Sequence, residues 1–149
     1  MSSWFSVRVI YDGKNEKGVS IKKKEQYLVD AISFAEAEER VIGELTPYNC
    51  SDIRVTAMKI ENIEEIFNQE EGDKWYRVKL MFVTINKNGN ENGTAHVLLV
   101  NGKNAEDAIE RVNEGMKGSV IDYKINTVSE TQYMDVFFYS LEPENETTR

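Results

Sequence analysis

"WFSVRVIY" (Trp4–Tyr11) and "WYRVKLMF" (Trp75–Phe82) are near copies, each opening on tryptophan and carrying a base in its middle. Both alternate in the period of two that a half-buried strand requires. A shift of 71 positions carries Trp4 onto Trp75, and the same shift carries Val7 onto Val78, Gly18 onto Gly89, Leu28 onto Leu99 and Val29 onto Val100. It continues through Ala37 and Ala108, Glu39 and Glu110, Arg40 and Arg111, and Val41 and Val112. One residue is then lost, so that Asp52 pairs with Asp122 and Phe67 with Phe137. A register kept through strand, hairpin and helix is an internal duplication.

Each copy reads ββαβ, with a short fourth extended piece ("EEIF", "MDVFFY"). "DGKNEKG" and "NKNGNENG" are turn compositions that place Gly and Asn where positive φ is needed. Ser33 with Glu36, and Asn104 with Asp107, write a helix N-cap with an acid three residues on. The first helix is expected to bury Phe34, Ala37, Val41 and Leu45, the second Ala105, Ala108, Ile109, Val112 and Met116. The expected fold class is α+β: two tandem pseudo-symmetric ββαβ(β) repeats with one helix on one face of each antiparallel sheet. Repeat 1 spans 1–70, repeat 2 spans 71–141, and 142–149 is an acidic tail. The polar "NQEEGDK" joins the repeats, which are expected to pack as one compact domain.

Apolar residues make up 40% of the 149 and charged residues 30%, the composition of a globular protein. No apolar run reaches the roughly 18 residues of a membrane span, and the N-terminus lacks the basic and apolar blocks of a secretory signal. The single Cys50 has no intramolecular partner, which fits a reducing cytoplasm, and the N-x-S/T triplets at Asn49, Asn92 and Asn145 then carry no sugar. Net charge is −8, but acids gather in "SFAEAEERVIGEL", in "ENIEEIFNQEEGD" and in the tail "LEPENETTR", whereas "SIKKKEQ" is basic and Trp75–Asn86 holds Arg77 and Lys79 with no acid. An acidic helical side and a more basic sheet side are expected.

Enzyme constellations are missing. His96 is the only histidine and reads as an exposed strand residue; Cys50 reads as a buried filler. No Cys/His spacing suits zinc, no Gly-rich loop suits a phosphate, and Glu64–Glu65 and Glu70–Glu71 read as solvated pairs. No catalytic residue, metal or cofactor is expected.

What remains is a surface. Phe5, Val7, Val9 and Tyr11, with Tyr76, Val78, Leu80 and Phe82, form uniformly apolar faces that belong against the helices. The opposite faces carry Trp4, Ser6, Arg8 and Ile10, and Trp75, Arg77, Lys79 and Met81. The third strands are expected to add Arg54, Thr56 and Met58 in one copy, Lys124, Asn126 and Val128 in the other. Trp4, Arg8, Arg54, Trp75, Arg77, Lys79 and Lys124, with Lys22, Lys23 and Lys24 at the hairpin, make a candidate nucleic-acid platform. Tryptophan would stack bases and the cations would neutralise phosphates. The structural alternative assigns both tryptophans to packing and the bases to solvent.

"YLVDAISFAEAEERV", "GDKWYRVKL", "EGMKGSVIDYKI" and "SETQYMDVF" resemble a family of uncharacterised proteins from crAss-like gut phages and mobile elements of their bacterial hosts. The resemblance implies a small protein of the host cytoplasm. The leading expectation is a non-catalytic nucleic-acid-binding accessory protein, single-stranded DNA or RNA, of low sequence specificity. An acidic protein-interaction or inhibitor module is the second reading, and an enzyme subunit without its own active site the third. No membrane is expected, and the chain is expected to be a monomer with an intramolecular pseudo-twofold, or a homodimer.

Overall fold

The computed structural model describes residues 2–48, 51–68 and 72–138. Cys50, Asn49, Glu70, Glu71, Asn145 and the tail 142–149 lie outside them. Strands β1 (Ser3–Lys14) and β2 (Ser20–Ala31), helix α1 (Phe34–Leu45), and strands β3 (Ser51–Glu61) and β4 (Glu65–Phe67) make up the first copy. Strands β5 (Lys74–Ile85) and β6 (Glu91–Gly102), helix α2 (Ala105–Gly115), and strands β7 (Asp122–Glu130) and β8 (Tyr133–Phe137) make up the second. The fold is α+β, as the periodicity predicts.

Both hairpins close in the same way. The Asn15 carboxamide oxygen accepts from the Lys17 and Val19 amides at 2.9 and 3.0 Å, and Gly18 takes φ 79°. Asn86 accepts from Asn88 and Asn90 at 2.9 and 3.0 Å, and Gly89 takes φ 81°. The side chain satisfies amides that the turn leaves without backbone partners, and glycine removes the Cβ clash of the left-handed region. Both helices are capped as the sequence predicts: the Glu36 amide donates to Ser33 Oγ at 3.1 Å and the Asp107 amide to Asn104 Oδ1 at 2.8 Å. The acids reach back to the amides of Ile32 and Lys103, one residue before each cap.

The fourth strands change places. β4 pairs in parallel with β6, giving the order β4-β6-β5-β7, whereas β8 pairs in parallel with β2, giving β3-β1-β2-β8. One compact unit therefore takes β1–β3, α1 and β8, and the other takes β4–β7 and α2, dividing the chain at Glu61/Asn62 and Gln132/Tyr133. The repeat boundary at 70/71 describes order along the chain; the packing boundary describes which strands share a sheet.

In each unit the helix covers one sheet face. Phe5, Val7, Val9, Tyr27 and Val29 pack with Ala37, Val41 and Leu45 in the first; Tyr76, Val78, Leu80, Leu98 and Val100 pack with Ala108 and Val112 in the second. Phe34 is not buried as expected: at the first helical position it stays 46% exposed, its ring edge against Phe5 at 5.0 Å. Ala105, its counterpart by position, is exposed too, while Ile109 and Met116 are half-buried. A first-turn side chain reaches over the sheet end rather than into the core.

The third strands correct a face assignment. In β3 the register slips between Arg8/Val9, so that Ala57 opposes Arg8 and Val55 opposes Val9. In β7 it slips between Lys79/Leu80, placing Thr127 and Ile125 opposite them. Each extra residue (Thr56, Asn126) is a β-bulge, and a bulge inverts the alternation beyond it. Met58 and Val128 consequently point to the helix side and pack on the cores, and do not join the outer faces.

Candidate nucleic-acid interface

The pairing register defines the outer face of the first unit row by row. Glu61, Trp4 and Asp30 form one row; Lys59, Ser6 and Leu28 the next; Ala57, Arg8 and Gln26 the third; Arg54, Ile10 and Lys24 the fourth. Arg8, Lys24 and Arg54 are exposed and form no ion pair among the described residues. With neighbouring strands about 4.8 Å apart, Arg54 and Lys24 flank Ile10 across roughly 10 Å. Beside Arg8 lies an open groove of about 240 Å³ lined by Ser6, Arg8, Gln26, Ala57, Met58 and Lys59. Its floor is held by the Gln26 side-chain amide donating to Ser6 Oγ at 2.6 Å.

The lysine run at the hairpin divides. Lys22 is on the outer face and pairs with Asp12 at 2.7 Å. Lys23 opposes Tyr11 and is half-buried on the helix side, its stem lying where a side chain on Gly13 would go. Of the three, Lys24 presents an exposed cation in the outer row with no ion-pair partner among the described residues. Period-two alternation makes this division unavoidable.

In the second unit the outer face is poorer in charge. Lys79 and Lys124 are exposed and form no ion pair among the described residues, and Arg77 is half-buried opposite Leu99, which has no exposed surface. Trp75 is 6% exposed, so its ring faces are covered and it does not offer a stacking surface. Trp4 is half-buried, with the Phe138 ring edge-on at a centroid distance of 5.5 Å. Toward the tryptophan end both outer faces are buried: Ser6 at 4% and Leu28 at 0% in one unit, Asn101 at 3% and Leu99 at 0% in the other. The candidate residues thus separate into packing residues (Trp75 wholly, Trp4 in part), exposed cations without an ion pair among the described residues (Arg8, Lys24, Arg54, Lys79, Lys124), the paired Lys22, and the half-buried Lys23 and Arg77.

Lys59 and Gln26 join Arg8 without having been legible as site residues. Counted in twos from Arg54, Lys59 falls on the helix side, and only the bulge at Thr56 returns it to the outer row. His96 also differs from its sequence reading. It opposes Leu80 on the helix side, stacks on Phe82 at 4.0 Å and hydrogen-bonds the Glu64 carboxylate through Nδ1. Among the described residues no group of three His, Cys, Asp or Glu side chains is placed to hold a metal ion, and no helix is long and apolar enough to cross a membrane.

A duplicated α+β chain with two exchanged four-stranded sheets is the class these features define. The chain belongs to the family described as Domain of unknown function (DUF4494), whose model matches residues 3–139 and so spans every described strand and helix. No curated protein and no solved structure matches it.

Proposed function

We propose that this protein is a non-catalytic, single-stranded nucleic-acid-binding accessory protein of phage or mobile-element origin, acting in the bacterial cytoplasm. The outer face of the first unit is its main contact. The observation that supports this reading is the cluster of exposed cations without ion-pair partners among the described residues, Arg8, Lys24 and Arg54, on three adjacent strands beside the Arg8–Lys59 groove. Cations carried on rigid strands neutralise backbone phosphates without reading sequence, which fits low specificity. The buried Trp75 moves the weight of the reading from stacking to charge, and the net charge of −8 restricts attraction to this local face.

Titration of labelled oligonucleotides at two salt concentrations tests it. Affinity should fall with salt at a slope of roughly 0.7 per phosphate neutralised, and Arg8→Ala or Arg54→Ala should each shallow the slope by about one contact. Absence of binding to DNA and RNA oligonucleotides at low salt overturns the reading.

A second reading rests on the helices, each taken within its own unit. Glu38, Glu39 and Glu44 on α1, and Glu106, Glu110 and Glu114 on α2, are exposed. They suit an interaction or inhibitor module that docks on a basic protein surface. In that case charge reversal on the helices, not on the strands, abolishes function.

A further inference from the structure

The two copies differ in chemistry at one place on the helix side of the first unit. There a cavity of about 320 Å³ is lined by Tyr11, Glu25, Tyr27, Glu44, Leu45, Tyr48, Met134, Asp135 and Phe137. Three of these side chains are carboxylates, four are aromatic, and among the described residues no lysine or arginine lines the cavity. Glu25 is fixed: its Oε1 accepts from Tyr11 Oη at 2.8 Å and from Tyr27 Oη at 2.7 Å. Tyr27 is fixed in turn by stacking on Phe137, with centroids 5.3 Å apart and planes within 13°. Glu44 and Leu45 belong to the last turn of α1, which holds no basic residue, so the negative end of the helix dipole meets the same space uncompensated.

The counterpart in the second unit carries different chemistry, with the Glu64 carboxylate bound to His96. The shift that maps Tyr11 onto Phe82 maps Glu25 onto His96, Tyr27 onto Leu98 and Glu44 onto Gly115. Phe67 there lies against Gly115, its Cε2 2.9 Å from where a Cβ would stand, and His96 stacks on Phe82. A side chain at 115 would collide with the Phe67 ring, whereas Glu44 stands beside Phe137 at the edge of the first-unit cavity. In the second unit the Phe67 ring thus stands beside position 115, where the first unit carries a carboxylate.

We infer that the first-unit cavity binds a primary alkylammonium group, from a small amine or a lysine side chain. The carboxylates accept the ammonium N–H donors, and the apolar lining of Leu45, Met134 and the exposed Tyr48 ring holds the methylene stem. An anion is repelled by three carboxylates, and a neutral alcohol of the same length keeps the apolar contact but loses the charge-assisted bonds. This site is independent of the outer-face reading, since it lies on the other side of the sheet and uses the opposite charge.

The test is NMR titration of the intact protein with n-butylammonium, at constant ionic strength, against n-butanol. Saturable shifts of the Tyr11, Tyr27 and Tyr48 ring signals are expected with butylammonium at millimolar concentration, and only weak, unsaturated shifts with butanol. Glu44→Gly, which installs the residue of the second unit at an exposed position, should weaken binding about tenfold, and Glu25→Gln should weaken it further; melting curves establish that both variants fold. Spermidine and a capped lysine amide form the two source arms: tighter binding of spermidine assigns the site to free amines, and tighter binding of the lysine amide assigns it to protein side chains. Equal response to butanol, no saturable shift of these tyrosines, or undiminished binding in a folded Glu44→Gly protein overturns the inference.

Discussion

Trp75 and Trp4 began as identical letters and ended in different surroundings. Trp75 is covered, and its carbonyl oxygen accepts from the Thr131 amide at 2.9 Å and the Thr131 hydroxyl at 2.8 Å, tying β5 to the segment between β7 and β8. Trp75→Ala should destabilise the protein by about 3–5 kcal/mol, as truncation of a buried aromatic does. Thermal melts read this, and the salt slope of any oligonucleotide binding should be unchanged in the folded fraction. A variant that melts like the wild type would show that the ring is not a packing element. Asp107 gives a second residue-scale expectation. The Lys103 amide donating to its carboxylate, with Arg111 3.4 Å away, holds its pKa below the ordinary aspartate value. A carboxylate whose pKa is depressed on folding contributes stability above its unfolded pKa and loses it as pH falls through the folded one. Asp107→Asn should therefore lower Tm at neutral pH, and the gap to wild type should close in acid, below a pH of about 4.

At the scale of the element, the duplication acts as an internal control. Gly18 and Gly89 hold the same left-handed position in the same asparagine-closed loop, with open space around each. Gly18→Ala and Gly89→Ala should each cost about 1–2 kcal/mol, the left-handed penalty for a residue with a Cβ. Equilibrium denaturation measures this, and strongly unequal costs would show that the loops are not equivalent. The arginines at equivalent helical positions repeat a tie as well. Arg40 donates to the carbonyl oxygens of Asp30 and Phe138, and Arg111 donates to that of Asn101 at 2.9 Å. Each ties its helix to the end of its unit's second strand. The turns and caps were readable because they are local, each depending on residues within about four positions of one another. The arginine ties were not legible in this way, and the one from Arg40 to Phe138 joins residues far apart in sequence.

The whole molecule is organised by the strand exchange. β8 covers the edge of β2 and brings Tyr133 and Val136, both buried, into the first unit; the Tyr133 hydroxyl donates to Glu61 at 3.0 Å. β4 does the same for β6 through Glu65, Ile66 and Phe67. A chain cut within 69–71 should yield two fragments that each lack their outermost strand and expose an unpaired edge. Each fragment alone should melt lower or aggregate, and mixing the two should restore a cooperative transition. Two fragments that are separately as stable as the intact chain would refute a stabilising role for the exchanged strands.

Repeat, strand periods, turns and caps followed from the amino-acid sequence alone, because each is encoded by spacings shorter than one supersecondary unit. The α+β class came with them. The tertiary structure decided which sheet receives each fourth strand, since "EEIF" and "MDVFFY" carry the same alternation whichever edge they pair with. It also decided which face Lys59, Met58 and Val128 occupy, because a single extra residue at a bulge reverses every side chain beyond it without leaving a compositional mark. Burial of Trp75 and the opening beside Glu44 were likewise decided there. Both depend on what a neighbouring segment, distant in sequence, places against the ring or leaves vacant, and period-two alternation reports only which side of a sheet a residue is on.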